Sequence, residues 1–380
     1  MRLLAATGRV IAPPAWKLQI SVRVATDGKR ASSCSNLHHF FRQIGLTISQ
    51  IGGMKILLIT DAWHPQKNGV VVTLASILPH IREHEVFVVH PGVAGAKPAL
   101  RIYHDVQLVR NPIQVVGKYL DAIEPDRIHL VTEGPLGIAG RFLCARRGRP
   151  CTTSYHTRLP EYGWRLYHIP PFLSRAGVAW FHRRSRKVLV PTPSLAAELG
   201  YANAIIWGRG VDIERFYPEE GMRPAEPTLL YVGRVSKEKN LDAFCQLSGY
   251  RRIIVGDGPH RAALQCRYRD VQFTGHVPHD QLRQWYAQAH LFVFPSKTDT
   301  FGLVMLEAMA CGLPVAAFNV TGPKDVVEQG VTGYLGDDLA DNVARALARR
   351  EELAHNALAY ARAQSWQSVA DQFVRHVCDL

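Results

Sequence analysis

No run of apolar residues in this 380-residue chain approaches the ~18 positions a helix needs to span a bilayer, so any membrane contact is expected to be peripheral. No Cys-x-x-Cys pair occurs. The seven cysteines (Cys34, Cys144, Cys151, Cys245, Cys266, Cys311 and Cys378) are scattered and odd in number. That speaks against a zinc ribbon or disulfide framework and for a reduced, cytoplasmic compartment. The first 53 residues are nearly without acid: seven Lys/Arg stand against Asp27 alone, with no sustained period and no apolar core of a secretory signal. Residues 1–53 are read as an extension, disordered or ahead of the true start, because Met54-Lys55 opens directly on the strand-like Ile56-Leu57-Leu58-Ile59. A basic arm or transit segment is the other reading. Acid is scarce overall, with a formal charge of +13, which suits nucleic acid, anionic lipid or phosphorylated substrates and says nothing about fold. Nearly half of that excess lies in residues 1–53, and no finger or RNP motif accompanies it, so nucleic acid is not an expected partner.

What is present is a globular composition, 47% hydrophobic and 20% charged, with length for two ordinary domains. From Lys55 onward short apolar runs alternate with helical patterns, the signature of a parallel α/β protein. Strands are expected at 55–60, 85–90, 127–131, 151–155 and 187–190, with helices near 70–82 and 171–187. A second series follows the linker marked by Pro224 and Pro227. Its strands fall at 228–233, 252–256, 271–274, 290–294 and 314–318, and its helices at 239–248, 259–267, 279–288 and 303–311. The division is 54–221, 222–354 and a last helix, about 355–379 within 355–380, packing back on the first domain. Two such domains imply a ligand in the cleft between them, at the carboxyl ends of the strands.

The residues that carry chemistry sit at those ends. In Pro295-Ser296-Lys297-Thr298-Asp299-Thr300-Phe301-Gly302-Leu303, a buried strand gives way to a polar turn and a helix. The helix start offers N–H groups to a phosphate or sugar oxygen. Asp299 and Glu307 are placed to accept hydrogen bonds from vicinal hydroxyls. The plainer reading makes Asp299 a helix cap, whereas Glu307 among Leu306, Ala308 and Met309 needs a partner in either case. Arg234 and Lys239 flank the turn after Leu229-Leu230-Tyr231-Val232, where two cations would neutralise a departing diphosphate. Gly69 lets backbone approach a ligand after the first strand, and His156 stands at another strand end. Gly256-Asp257-Gly258-Pro259 lacks the third glycine of a dinucleotide fingerprint and reads as a plain turn. His64-Pro65-Gln66-Lys67-Asn68-Gly69 after the first strand is not G-x-G-x-x-G, which argues against an NAD-dependent oxidoreductase.

Taken in order, the loop ending at Gly69, His156, Gly210-Val211-Asp212 with Phe216 and Pro218, Gly233-Arg234 with Lys239, Gly256-Asp257-Gly258-Pro259 and 299–307 resemble the family 4 retaining glycosyltransferases. The match runs from about Met54 to the C-terminus. It implies a GT-B fold, two Rossmann-like domains facing across a cleft, and retention of anomeric configuration with neither metal nor cofactor. By the same resemblance, Arg234 and Lys239 would grip the donor diphosphate, with Gly69 against the phosphates. Glu307 would hold the ribose, and Asp299 with the backbone of Phe301, Gly302 and Leu303 would hold the sugar. His156 would meet the sugar near its 6-hydroxyl. Asp299 replaces the glutamate usual in the family, and Asn68-Gly69 replaces a glycine pair. With Arg209-Gly210-Val211-Asp212 and Thr321-Gly322-Pro323, these departures resemble the subset holding GDP-mannose-dependent α-mannosyltransferases and sulfolipid synthases. Mannosyl transfer from GDP-mannose to a lipid or glycan is the favoured implication, and a UDP-sugar-dependent glycolipid synthase the alternative. A basic nucleic-acid-binding protein and an acceptor-independent phosphorylase or epimerase stand further off.

For the acceptor side, residues 160–187 combine Tyr162, Trp164, Tyr167, Phe172, Trp180 and Phe181 with Arg165, Arg175, Arg183, Arg184, Arg186 and Lys187. Arg141, Arg146, Arg147 and Arg149 add to the same domain. Aromatics beside a cationic stripe suit anionic headgroups on the inner face of a membrane. A packed helix with a solvated basic side is the plainer alternative.

Overall fold

The computed structural model describes residues 53–66, 68–93, 98–102, 106–158, 170–219, 221 and 223–379. The readings on residues 1–52, Lys67, Tyr162, Trp164, Arg165, Tyr167 and Met222 lie outside them. Two parallel six-stranded sheets make up the molecule. The first contains β1 (Lys55–Ile59), β2 (Glu85–Val89), β5 (Arg127–Leu130), β6 (Thr152–Ser154), β7 (Val188–Val190) and β8 (Ala204–Ile206), in the order β2-β1-β5-β6-β7-β8. A separate antiparallel hairpin, β3 (Pro98–Ile102) and β4 (Val106–Val109), stands beside it. The second sheet contains β9 (Thr228–Val232), β10 (Arg251–Val255), β11 (Gln272–Gly275), β12 (Leu291–Phe294), β13 (Val315–Phe318) and β14 (Gly333–Gly336), in the order β11-β10-β9-β12-β13-β14. That is the doubly wound order, in which the strand order reverses beside the first strand and leaves a crevice at the strand ends.

The strands are short and apolar because both faces are covered. In β1, Ile56 and Leu58 pack on one core while Leu57 and Ile59 pack on the other. In β9, Leu230 and Val232 face one core and Leu229 and Tyr231 the other. Among the described residues no helix is long and apolar enough to cross a membrane. The helices Pro112–Ile123, Pro135–Arg146, Pro193–Leu199, Pro323–Val326 and Leu339–Ala348, and the strands β3, β4, β8 and β14, are not among the expected elements. Pro135–Arg146 buries Leu136, Ala139, Leu143 and Cys144 on one face, but Ile138 and Phe142 are exposed on the other and Arg141 is buried, which blurs its stripe. The expected helix 70–82 ends at Ile77, and Leu78–His80 continues as a 3-10 turn around Pro79.

The chain end differs from a single helix over 355–379. Arg350–Ala363 and Trp366–Cys378 are separate helices, and the Ser365 hydroxyl caps the second by accepting from Ser368 N. Ala357 and Ala361 lie in the core of the second domain, so the stretch from 355 to 363 belongs there. Only the second helix packs on the first domain, through Trp366, Val369, Phe373 and Val377. The crossing passes the Arg209-Gly210-Val211-Asp212 segment, where Val211 N donates to Gln364 O at 2.9 Å. A Cβ on Gly210 would stand 2.8 Å from Trp366 N, so this glycine is required by close approach of two backbones.

Candidate active site

The ends of β9 and β12 meet at the reversal point of the second sheet, and the loops that leave them interlock. Lys239 Nζ lies 2.6 Å from Asp299 Oδ1. Asn240 Nδ2 donates to Pro295 O at 3.1 Å, and the Thr298 hydroxyl to Glu238 O at 3.4 Å. Asp299 is therefore an ion-pair partner and not the cap of the following helix. The cap position of Leu303–Ala310 is Gly302, at φ +92. A Cβ there would fall 2.8 Å from Met305 Cε and 3.0 Å from Phe294 Cζ. Phe301 packs against the core beside it. Arg234 is exposed on the β9 loop, and its carbonyl accepts from the Tyr231 hydroxyl at 3.1 Å.

Glu307, one turn into the helix, is buried and fully engaged. Its Oε1 lies 2.9 Å from His279 Nε2, and its Oε2 accepts from the Tyr286 hydroxyl at 2.9 Å. Burial and the neighbouring carboxylate push the Tyr286 phenol well above its ordinary range, keeping it a donor. Arg215 Nη1 meets His279 Nδ1 at 2.9 Å, so the His279 proton sits on the side facing Glu307. Sequence reasoning required a partner for Glu307 but did not name His279 or Tyr286, which are distant in the chain.

The first domain closes on the same turn. The Thr300 hydroxyl donates to His156 O at 3.0 Å. Leu303 packs against the first domain's core, and a Cβ on Gly69 would lie 3.8 Å from Leu303 Cδ1. Gly69 begins the helix Gly69–Ile77, whose first N–H groups are capped by Asn68 Oδ1, accepting from Val70 N at 3.1 Å and Val71 N at 3.0 Å. Further contacts across the cleft join Ser194 N to Asp325 Oδ1 at 3.0 Å and the Thr321 hydroxyl to Glu198 at 3.3 Å. Gly69, His156, Lys239, Asp299 and Leu303 thus converge on one turn. Glu307 lies deeper on its helix, and Arg234 at the rim.

Beneath His156 lies a buried polar layer. His129 Nδ1 and Nε2 meet the hydroxyls of Thr152 at 2.8 Å and Ser154 at 2.5 Å. His182 meets Thr153 at 2.9 Å and Glu133 at 3.0 Å. Arg209, 4% exposed, donates to Trp207 O and Gly208 O, and its Nη2 lies 3.2 Å from His156 Nδ1. Burial, then Arg209, His129 and His182, holds the His156 imidazole well below its ordinary value. His156 Nε2 and Asp299 Oδ2 are buried and lack a partner among the described residues. Among those residues no cluster of three or more His, Cys, Asp or Glu is built to hold a metal ion.

On the acceptor side, Phe172, Leu173 and Trp180 are exposed on the helix Pro171–Arg183, beside exposed Arg175, Arg183 and Arg184. Two residues of the expected stripe are elsewhere. Arg141 is buried with Nη1 at 3.6 Å from Cys151 Sγ, and Phe181 belongs to the core, because their helices turn those positions inward.

The family models for Glycosyltransferase Family 4 and Glycosyl transferases group 1 match residues 67–215 and 226–350. A GDP-mannose-dependent alpha-mannosyltransferase of Mycobacterium tuberculosis is 31% identical over 365 residues, covering 85% of this chain and 96% of that protein. The Arabidopsis thaliana sulfoquinovosyl transferase is 32% identical over 240 residues, 56% of this chain and 47% of its own. Among solved structures, sucrose-phosphate synthase from Thermosynechococcus elongatus superposes with a TM-score of 0.68 at 21% identity, covering 85% of this chain and 98% of that one. Anabaena HepE in complex with UDP-glucose gives 0.69 at 21% identity, over 86% and 100%. With the GT-B architecture shared along nearly the whole fold and both halves matched in order, the chain belongs to the family 4 glycosyltransferases.

Proposed function

We propose that this glycosyltransferase moves a mannosyl group from GDP-mannose to a lipid or glycan acceptor, with retention of configuration and no metal. The observation that carries the site assignment is the pair of unsatisfied buried atoms, His156 Nε2 and Asp299 Oδ2, on the two sides of the Thr300–His156 hydrogen bond. A buried polar atom without a partner costs about 1–3 kcal/mol, and a sugar bearing several hydroxyls would satisfy both. The mycobacterial relative's name supplies the donor. The likeness to the Arabidopsis sulfoquinovosyl transferase keeps as the second reading the UDP-sugar-dependent glycolipid synthase that the motifs also suggest.

In this mechanism Lys239 leaves Asp299 for a phosphate oxygen when the donor enters, and Asp299 turns to the sugar hydroxyls. Arg234 joins Lys239 in holding the diphosphate as the glycosidic C–O bond breaks and charge develops on its oxygen. The acceptor hydroxyl attacks on the face the leaving group departs from, and its proton passes to the departing phosphate oxygen. Glu307, held by His279 and Tyr286, accepts from the ribose hydroxyls. The first domain receives the acceptor, with Phe172, Leu173, Trp180 and their neighbouring arginines resting on an anionic membrane surface. Donor consumption measured with and without acceptor tests this reading. It expects turnover only with acceptor, and an α-linked product from the α-linked donor. Donor consumed or rearranged without acceptor would instead indicate a phosphorylase or epimerase.

A further inference from the structure

We infer that Arg209 is the positioning residue of His156, fixing the imidazole as the tautomer that carries its proton on Nε2 and so presents an N–H donor to the transferred sugar. The role toward sugar rests on the donor-site reading above; the tautomer itself does not. A guanidinium has only donors. Its Nη2, 3.2 Å from His156 Nδ1, obliges that nitrogen to accept and leaves the proton on Nε2. The guanidinium is not free to turn away. Nη1 donates to Trp207 O at 2.8 Å and Gly208 O at 2.9 Å, and the group lies 4.6 Å from the Trp207 ring centre.

Protonating Nδ1 as well would break that bond and set a second cation against Arg209 in a buried place. Burial brings Arg209 down to about 9, which still leaves it charged at neutral pH. The other titratable groups around His156 are His129 and His182, with Glu133 held on the far nitrogen of His182, and on the facing turn Asp299, whose charge is paired with Lys239 at 2.6 Å. The His129 ring nitrogens meet only hydroxyls, so no unpaired carboxylate among these groups stabilises an imidazolium at His156. The imidazole and Trp207 rings stand edge to face with centroids 6.0 Å apart, which restricts the imidazole plane. Its Nε2 is buried and unsatisfied among the described residues, while the residue's own carbonyl holds Thr300 of the sugar turn. The fixed N–H selects for an oxygen acceptor on the sugar, a hydroxyl or an anionic substituent, and against a deoxy carbon.

The test is nitrogen NMR of the full chain labelled with 15N-histidine, with His156→Gln identifying the His156 signals. The expected spectrum is neutral, with protonated Nε2 and bare Nδ1, between about pH 6 and 8. In folded Arg209→Met, judged by thermal unfolding, His156 should mix tautomers and its pKa should rise only part of the way toward the ordinary value, because burial, His129 and His182 still hold it down. Its kcat/KM should fall at least about tenfold and acquire a matching acid limb, while GDP binding is unchanged. Arg209→Lys, which keeps a cationic donor, should recover part of the loss. An imidazolium or a protonated Nδ1 in the wild type overturns the assignment. So does an unchanged tautomer in folded Arg209→Met. The expected tautomer in a protein that binds no nucleotide-sugar would leave the Arg209–His156 pairing standing and remove its catalytic meaning.

Discussion

Lys239 and Asp299 hold one another at 2.6 Å, a cation and an anion with different ligand chemistry, so the two should fail differently. Lys239→Met removes a phosphate cation and should weaken GDP binding by about tenfold or more. Asp299→Asn frees Lys239 for phosphate, so GDP should bind at least as well while sugar transfer falls. Titration calorimetry with GDP beside steady-state kinetics separates the two, and equal losses in both would argue against the exchange of partners. Gly302 is a different kind of requirement. At φ +92 with Met305 Cε 2.8 Å from the position of a Cβ, Gly302→Ala should destabilise by about 1–3 kcal/mol in urea unfolding. It should also impair transfer by shifting the turn. The placement of Arg234, Lys239 and Asp299 on the turns after two strands was legible because composition marks those strands, and the need of Glu307 for a partner because its helix neighbours are apolar. Arg209, His279 and Tyr286 were not, since their partners are 53, 28 and 21 residues away and only folding brings them together.

At the scale of elements, the terminal helix Trp366–Cys378 is part of the first domain's core. Phe373 is fully buried, its ring tilted against Trp207 at 5.2 Å and edge to face with His129 at 5.0 Å. Phe373→Ala should cost about 3–5 kcal/mol, and because the lost packing borders β5 through His129, the unfolding of the first domain should lead. A loss confined to the second domain would contradict this placement. The break before this helix leaves a mark in the sequence: Ser365 precedes the amphipathic run and its hydroxyl caps it. Pro135–Arg146 leaves none, because exposed Ile138 and Phe142 and buried Arg141 blur the period that identifies an amphipathic helix.

For the whole molecule, the buried histidine layer sets acid tolerance. Burial lowers His129 to about 3 and His90 to about 4. Below the ordinary value near ~6.5 the unfolded chain takes up protons that the fold refuses. Stability is therefore complete above that value and lost as pH falls toward the folded values, by up to about 1.4 kcal/mol per pH unit for each such group. Denaturant unfolding from pH 7 to 5 should show this decline, and His129→Gln should make it shallower. The exposed Phe172, Leu173 and Trp180 beside arginines make a second prediction at this scale. The protein should float with anionic vesicles and not with neutral ones, and Phe172→Ser with Trp180→Ser should abolish flotation. Flotation with neither kind of vesicle would remove the membrane from the account, and equal flotation with both would remove the role of the arginines. The two-domain architecture was legible from alternating strands and helices, but closure of Gly69 and His156 onto the turn at 299–303 was not, since no pattern within either half encodes it.

The most direct test of the donor site is calorimetric titration of the chain from Met54 with GDP-mannose, UDP-glucose, UDP-galactose and UDP-sulfoquinovose, repeated on Arg234→Ala and Glu307→Ala. The account predicts binding of GDP-mannose above the uridine donors, and its loss by about tenfold to a hundredfold in each folded variant. Unchanged affinity in both variants, or no donor bound by folded protein, would contradict it.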